Sequence, residues 1–150
     1  MIAPIGKHIL IVEDDQSISG EMAKTLEHMG CEVTGVFTSG EEFMEKAAKL
    51  PRTDLVIMDV SLAGAMDGIQ TGKYAESQLK LPVIYITGYR EKALMLEEKG
   101  RVPLLKPFTT DDLRAAIGVV FYRLSLRAIE NSNSDRKIPN PQKPGLNLNG

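Results

Sequence analysis

The chain has 150 residues, 43% hydrophobic and 25% charged, the make-up of an ordinary globular domain long enough to bury a core. Twenty acids against 18 bases give a net charge of −2, so no overall basic field draws the chain to nucleic acid or to a membrane surface. The single cysteine, Cys31, rules out a disulfide scaffold and fits a reducing compartment. No apolar run approaches the ~20 residues that cross a bilayer, and Met1 to Lys7 lacks the apolar centre of a secretion signal. A cytoplasmic protein is expected.

Ile9-Leu10-Ile11-Val12 is a short, unbroken apolar run rich in β-branched residues, the pattern of a strand covered on both faces. A helical stripe of Ile18, Met22, Leu26 and Met29 follows, closed by Gly30 where a left-handed cap is wanted. Glu32 to Val36 is mixed in polarity and predicts an edge strand; Phe43, Ala47 and Leu50 form the next helical stripe. Leu55-Val56-Ile57-Met58 and Val83-Ile84-Tyr85-Ile86 repeat the buried-strand pattern, with a weaker helix after the Asp67-Gly68 turn between them. The stretch from Thr87 to Lys106 leaves little room for a full fourth helix, and Gly100 is placed as a helix cap. Val102-Pro103-Leu104-Leu105 contains a proline and suits the other sheet edge. Thr110, as a capping hydroxyl ahead of Asp111 and Asp112, predicts the start of a long last helix carrying Leu113, Ile117, Val120 and Leu124.

Asn131 to Gly150 holds five Asn and three Pro with only Ile138, Leu146 and Leu148 apolar, which predicts a flexible polar tail or linker after a domain spanning residues 1–130. The five strand–helix units predict an α/β sandwich around a parallel sheet with right-handed crossovers.

Open parallel sheets bind ligands beyond the carboxyl ends of their strands. There the sequence places Glu13, Asp14 and Asp15 after the first run, Asp59 after the third, Thr87 and Gly88 after the fourth, and Lys106, Pro107 and Phe108 after the fifth. Clustered carboxylates repel one another unless a cation holds them, and hard oxygen ligands favour Mg²⁺. A carboxylate facing such a metal can attack phosphorus, while a hydroxyl and an ammonium offset the charge of the phosphoryl oxygens.

The order Ile-Val-Glu-Asp-Asp, Met58-Asp59-Val60, Ile86-Thr87-Gly88 and Leu105-Lys106-Pro107-Phe108 resembles the receiver domain of two-component response regulators, over roughly residues 7 to 127. The resemblance implies a flavodoxin-like (βα)5 sandwich with sheet order 2-1-3-4-5. It implies Asp59 as phosphoacceptor, Thr87 and Lys106 as the hydroxyl and ammonium that meet the phosphoryl group, and a cis bond at Lys106-Pro107. It places Mg²⁺ on Asp14 directly, on Glu13 through water, on Asp59 and on the backbone carbonyl of Ser61. The implied partners are a histidine kinase or phosphotransfer protein and a downstream protein effector, with a dimer through the last strands and helices left open.

Two departures stand out. Pro103 occupies the place of the family's usual aromatic switch residue, leaving Tyr89 as a candidate substitute. Thr87-Gly88-Tyr89 with Pro103 to Phe108 partly resembles the "FAT GUY" receiver subgroup, in which the fourth helix is reduced.

The rivals are a non-phosphorylated receiver used as an interaction module, the receiver segment of a hybrid histidine kinase, and an aspartyl-phosphate hydrolase. The last is disfavoured because Ser61 stands where those enzymes carry an Asp. Asp14-Asp15-Gln16-Ser17 offers no glycine-rich loop for a dinucleotide. Asp15 is read as a helix cap, His8 and His28 as having no zinc role, and Cys31 as structural. Phe121 and Tyr122 are read as a partner face, or else as one core ring and one surface ring.

Overall fold

The computed structural model describes residues 4–135 of the chain. Five strands alternate with five helices: β1 (His8–Val12), α1 (Gln16–His28), β2 (Glu32–Phe37), α2 (Gly40–Lys46), β3 (Leu55–Asp59), α3 (Gly68–Gln78), β4 (Val83–Thr87), α4 (Arg90–Glu98), β5 (Val102–Leu105) and α5 (Thr110–Asp135). The strands form one sheet in the order β2-β1-β3-β4-β5, and every neighbouring pair is parallel. This is the expected flavodoxin-like order, with the mixed-polarity strand and the proline-containing strand at the two edges.

Alternation along the central strands divides the core in two. Ile9, Ile11, Leu55, Ile57, Ile84 and Ile86 face α1 and α5, where Met22, Leu26, Leu113, Ile117 and Val120 meet them. Leu10, Val12, Val56, Met58, Val83 and Tyr85 face the other layer, which holds Phe43, Ala75 and Leu96 of α2, α3 and α4. Each fully buried aliphatic side chain stabilises the fold by roughly 1.5–3 kcal/mol. Both faces of β1, β3 and β4 are covered, and those strands read as continuous apolar runs for that reason. Phe121 is buried and Tyr122 is exposed, one core ring and one surface ring.

Four local features differ from or sharpen the sequence reading. The helix α4 is a regular nine-residue helix rather than a reduced one; its Arg-Glu-Lys-Ala-Leu-Met-Leu-Glu-Glu sequence consists of good helix formers. The cap of α5 is Thr109, one residue before the expected Thr110: its hydroxyl accepts from the Asp112 amide at 3.0 Å while Asp112 Oδ2 accepts from the Thr109 amide at 2.9 Å. The helix α5 continues through Asp135, so the first five residues of the segment expected as a polar tail are helical, and its remainder lies outside the described residues. Gly30 and Gly100 hold φ of 89° and 80°, the left-handed caps expected after α1 and α4.

Candidate functional site

The carboxyl edge of the sheet gathers its polar residues because each follows directly on a buried strand. Glu13 comes after β1, and its amide donates to the Phe37 carbonyl at 2.9 Å, tying the end of β1 to that of β2. Asp14 beside it is exposed. Asp15 turns away and caps α1, its Oδ1 accepting from the amides of Ser17 and Ile18 at 2.9 and 3.2 Å. Asp59 ends β3 and is 3% exposed; Thr87 ends β4 and is fully buried. Lys106 follows β5, its amide held by the Thr87 carbonyl at 2.8 Å. The Lys106-Pro107 peptide bond is cis.

Glu13, Asp14 and Asp59 each bring a carboxylate oxygen within 4.8 Å of the others, the one such cluster of potential metal ligands among the described residues. The Lys106 ammonium lies 3.3 Å from Asp59 Oδ2 and 3.4 Å from Glu13 Oε1. Burial, reinforced by a hydrogen bond shared with Asp59, pushes the Glu13 carboxyl up to about 8, so at neutral pH it holds a proton next to Asp59. Burial also works against the Lys106 charge, but the neighbouring Asp59 and Glu13 outweigh it and hold the ammonium above its ordinary range. Three hard-oxygen donors with one compensating cation leave room for a further positive charge, and a divalent cation such as Mg²⁺ suits that donor set.

Ser61 is exposed, and its amide donates to Asp59 Oδ1 at 3.0 Å. Thr87 Oγ1 accepts from the Tyr89 amide at 3.0 Å, linking the site to the start of α4. Tyr89 is 56% exposed, while Pro103 pairs with the buried Tyr85 across β4 and β5.

Two residues of this region escaped the sequence reading. Gly68 was assigned only turn chemistry, yet a Cβ there would collide with the carbonyl oxygen of Asp59, so glycine alone fits between α3 and the end of β3. Glu41 of α2 accepts from the amides of Ala65 and Met66 at 2.8 and 2.9 Å and pins the loop that carries Ser61. Backbone amides, its own and those of Met66 and Ala65, hold the Glu41 carboxyl below its ordinary range. His8 contacts Asp54 and Glu32 rather than joining the acidic cluster.

A flavodoxin-like sheet with clustered carboxylates, a buried threonine and a lysine at its carboxyl edge defines a signalling domain of the receiver type. The family model described as the response regulator receiver domain matches residues 9–118, and the chain belongs to that family. It is 32% identical over 124 residues to the transcriptional regulatory protein PdtaR of Mycobacterium tuberculosis, covering 81% of this chain and 60% of PdtaR. It is 29% identical over 136 residues to the phyllosphere-induced regulator PhyR of Methylorubrum extorquens, covering 89% of this chain and 51% of PhyR. The signal receiver domain of a modulated diguanylate cyclase from Desulfovibrio desulfuricans G20 superposes with a TM-score of 0.72 at 31% identity, covering 81% of this chain and 98% of that one. The chain thus spans little more than half the length of these two curated regulators. It is a receiver domain of two-component signalling, and among the described residues no helix is long and apolar enough to cross a membrane.

Proposed function

We propose that Asp59 accepts a phosphoryl group from a phosphohistidine of a histidine kinase or phosphotransfer protein. One Asp59 carboxylate oxygen forms the new P–O bond as the P–N bond to the donor histidine breaks, and later hydrolysis of the aspartyl phosphate resets the domain. The observation that carries this reading is the burial of Asp59 at the end of the central strand, 3.3 Å from the Lys106 ammonium and within one acidic cluster with Glu13 and Asp14.

Glu13, Asp14 and Asp59, with the carbonyl of Ser61, would hold Mg²⁺. When bound, the ion supplies positive charge to the oxygens of the incoming phosphoryl group. Lys106 offsets charge on the same group, and the Thr87 hydroxyl turns toward it, giving up the Tyr89 amide. That exchange alters the start of α4 and so biases the face built by β4, β5, α4 and α5, where Leu94, Val119 and Tyr122 are exposed for a downstream protein effector. Residues 1–130 form the receiver unit, acting in the cytoplasm as a switch and carrying out only its own phosphorylation and dephosphorylation.

Intact mass after incubation with acetyl phosphate tests the proposal. A gain of one phosphoryl group that needs Mg²⁺ and disappears in Asp59→Asn is expected. Persistence of an acid-labile, base-labile label in Asp59→Asn would assign the acceptor elsewhere.

A further inference from the structure

At the opposite edge of the sheet, where β4 and β5 begin, a cleft of about 440 Å³ opens between the end of α3, the turn from α4 into β5, and α5. Lys80, Lys99, Arg101, Arg123 and Arg127 line it against a single acid, Glu76. That acid is already engaged: it accepts from the Tyr85 hydroxyl at 3.0 Å and from Arg101 Nε and Nη2 at 3.2 and 2.8 Å. Arg123 donates to the Gly100 carbonyl at 2.9 Å, which fixes its position without neutralising it. Among the described residues the ion pairs elsewhere leave Lys80, Lys99, Arg123 and Arg127 without a carboxylate.

Ordinary helix electrostatics explains only part of this cluster. Lys99 directly follows α4 and Lys80 comes one residue after the Leu79 cap of α3, positions where a cation offsets the dipole. Arg123 and Arg127 instead sit within α5 as a like-charged i,i+4 pair, which weakens a helix. Lys80 also holds φ at 57°, a left-handed conformation that a side chain disfavours and that glycine usually occupies after a helix. That turn closes α3, where the Leu81 amide donates to the Ala75 carbonyl at 3.0 Å, so it is the grouping of unneutralised cations in one cleft that points to a ligand. Val102 and Leu124, both partly accessible, also line the cleft above the buried Val83 and Val120, so its cations stand beside a small apolar surface.

We propose that this cleft binds a small anion with adjacent phosphate groups, of the diphosphate or nucleoside-diphosphate class. Lys80, Lys99, Arg123 and Arg127 hold the phosphates, and Glu76 positions Arg101 beside them. The volume lies in the range of small-molecule sites, and four uncompensated cations match the charge of two phosphates.

The test is an amide NMR titration of the full chain with inorganic pyrophosphate and, separately, with ADP. EDTA keeps divalent cations away from the acidic cluster. Saturable shifts confined to residues 80–83, 99–102 and 120–127 are expected by about 5 mM ligand at about 50 mM salt. ADP binding more tightly than pyrophosphate would place a base on the apolar surface; equal binding would assign the site to the diphosphate alone. Arg123→Glu with Arg127→Glu should weaken binding at least about tenfold, and the milder Arg123→Gln with Arg127→Gln serves if the first pair does not fold. Lys24→Glu with Lys73→Glu makes the same charge change elsewhere on the surface and should leave binding unaltered. Shifts scattered over the surface, no saturation with either probe, or equal weakening in the Lys24 and Lys73 control would overturn the proposal.

Discussion

The ammonium of Lys106 stands 3.3 Å from Oδ2 of Asp59, so a half-buried cation at the end of an edge strand neutralises an almost fully buried carboxylate on the central strand. The same ammonium reaches Glu13 at 3.4 Å, and one charge therefore bridges β1, β3 and β5. Lys106→Met keeps the aliphatic stem and removes that bridge, leaving two carboxylates without a compensating charge. Urea unfolding in EDTA should show a loss of about 1–3 kcal/mol at pH 8.5. The loss should shrink near pH 6, where Glu13 is protonated and only Asp59 needs the ammonium. An equal loss at both pH values would mean that Lys106 contributes through its stem alone.

Glu13 gives the metal-free protein an unusual pH dependence. Its carboxyl titrates near 4.5 when unfolded and is pushed up to about 8 when folded. Between those values the folded chain binds more protons than the unfolded chain, so this contribution to stability is complete below about 4.5 and is lost as pH rises through about 8. Melting in EDTA should therefore drop in temperature between pH 6 and pH 8.5, and Glu13→Gln, which cannot ionise, should flatten the drop. Mg²⁺ competes for the same oxygen, so its apparent affinity should rise across that interval, by up to about tenfold per pH unit. A wild-type melting curve insensitive to pH over this range would refute the shared-proton picture.

How much of this site was legible depended on whether chemistry or distance fixed it. Asp59, Thr87 and Lys106 were readable because a buried strand is an unbroken apolar run, and its first polar successor marks the carboxyl edge. Glu41 was not readable, because its grip on Ala65 and Met66 spans 24 and 25 residues and leaves no local pattern. Thr109 and Thr110 offer the same hydroxyl; only the reach to Asp112 three residues on identifies Thr109 as the cap. The reduced α4 was inferred from the short Thr87–Lys106 stretch and the partial FAT GUY resemblance, whereas its helix-forming residues fill that space with nine regular positions. Asn131 and Ser132 have a composition that favours a tail, and they remain helical as a continuation of α5.

Gly68 makes a steric prediction that needs no electrostatics. A methyl group there would overlap the Asp59 carbonyl oxygen and crowd the Asp59 carbonyl carbon and Val60 Cα, all of them backbone atoms that no rotamer change can move aside. The Gly68 amide also donates to the Val60 carbonyl at 3.0 Å, so α3 cannot retreat without losing that bond. Gly68→Ala should cost at least about 2 kcal/mol in urea unfolding and displace Asp59. Mg²⁺-dependent labelling by acetyl phosphate should fall with it. Gly118→Ala is the control, because a Cβ on Gly118 meets nothing within 4 Å. It should be neutral or slightly stabilising.

The Thr87 hydroxyl has competing partners, and that competition is where phosphorylation would reach α4. In the structure Oγ1 accepts from the Tyr89 amide at 3.0 Å, and Tyr89 occupies the cap position of α4 without a side-chain cap of its own. An amide left without that acceptor loses a bond worth about 1 kcal/mol, enough to shift the preferred entry into the helix. Thr87→Val preserves the shape of the buried side chain and deletes the oxygen. It should cost about 1 kcal/mol in stability and leave labelling of Asp59 measurable, because the acceptor carboxylate is untouched. Amide shifts of Tyr89 through Leu94 on saturation with a beryllofluoride phosphoryl mimic should be large in the wild type and largely absent in Thr87→Val. If Thr87→Val responds as the wild type does, the signal reaches α4 by another route, and the hydroxyl is only a structural cap.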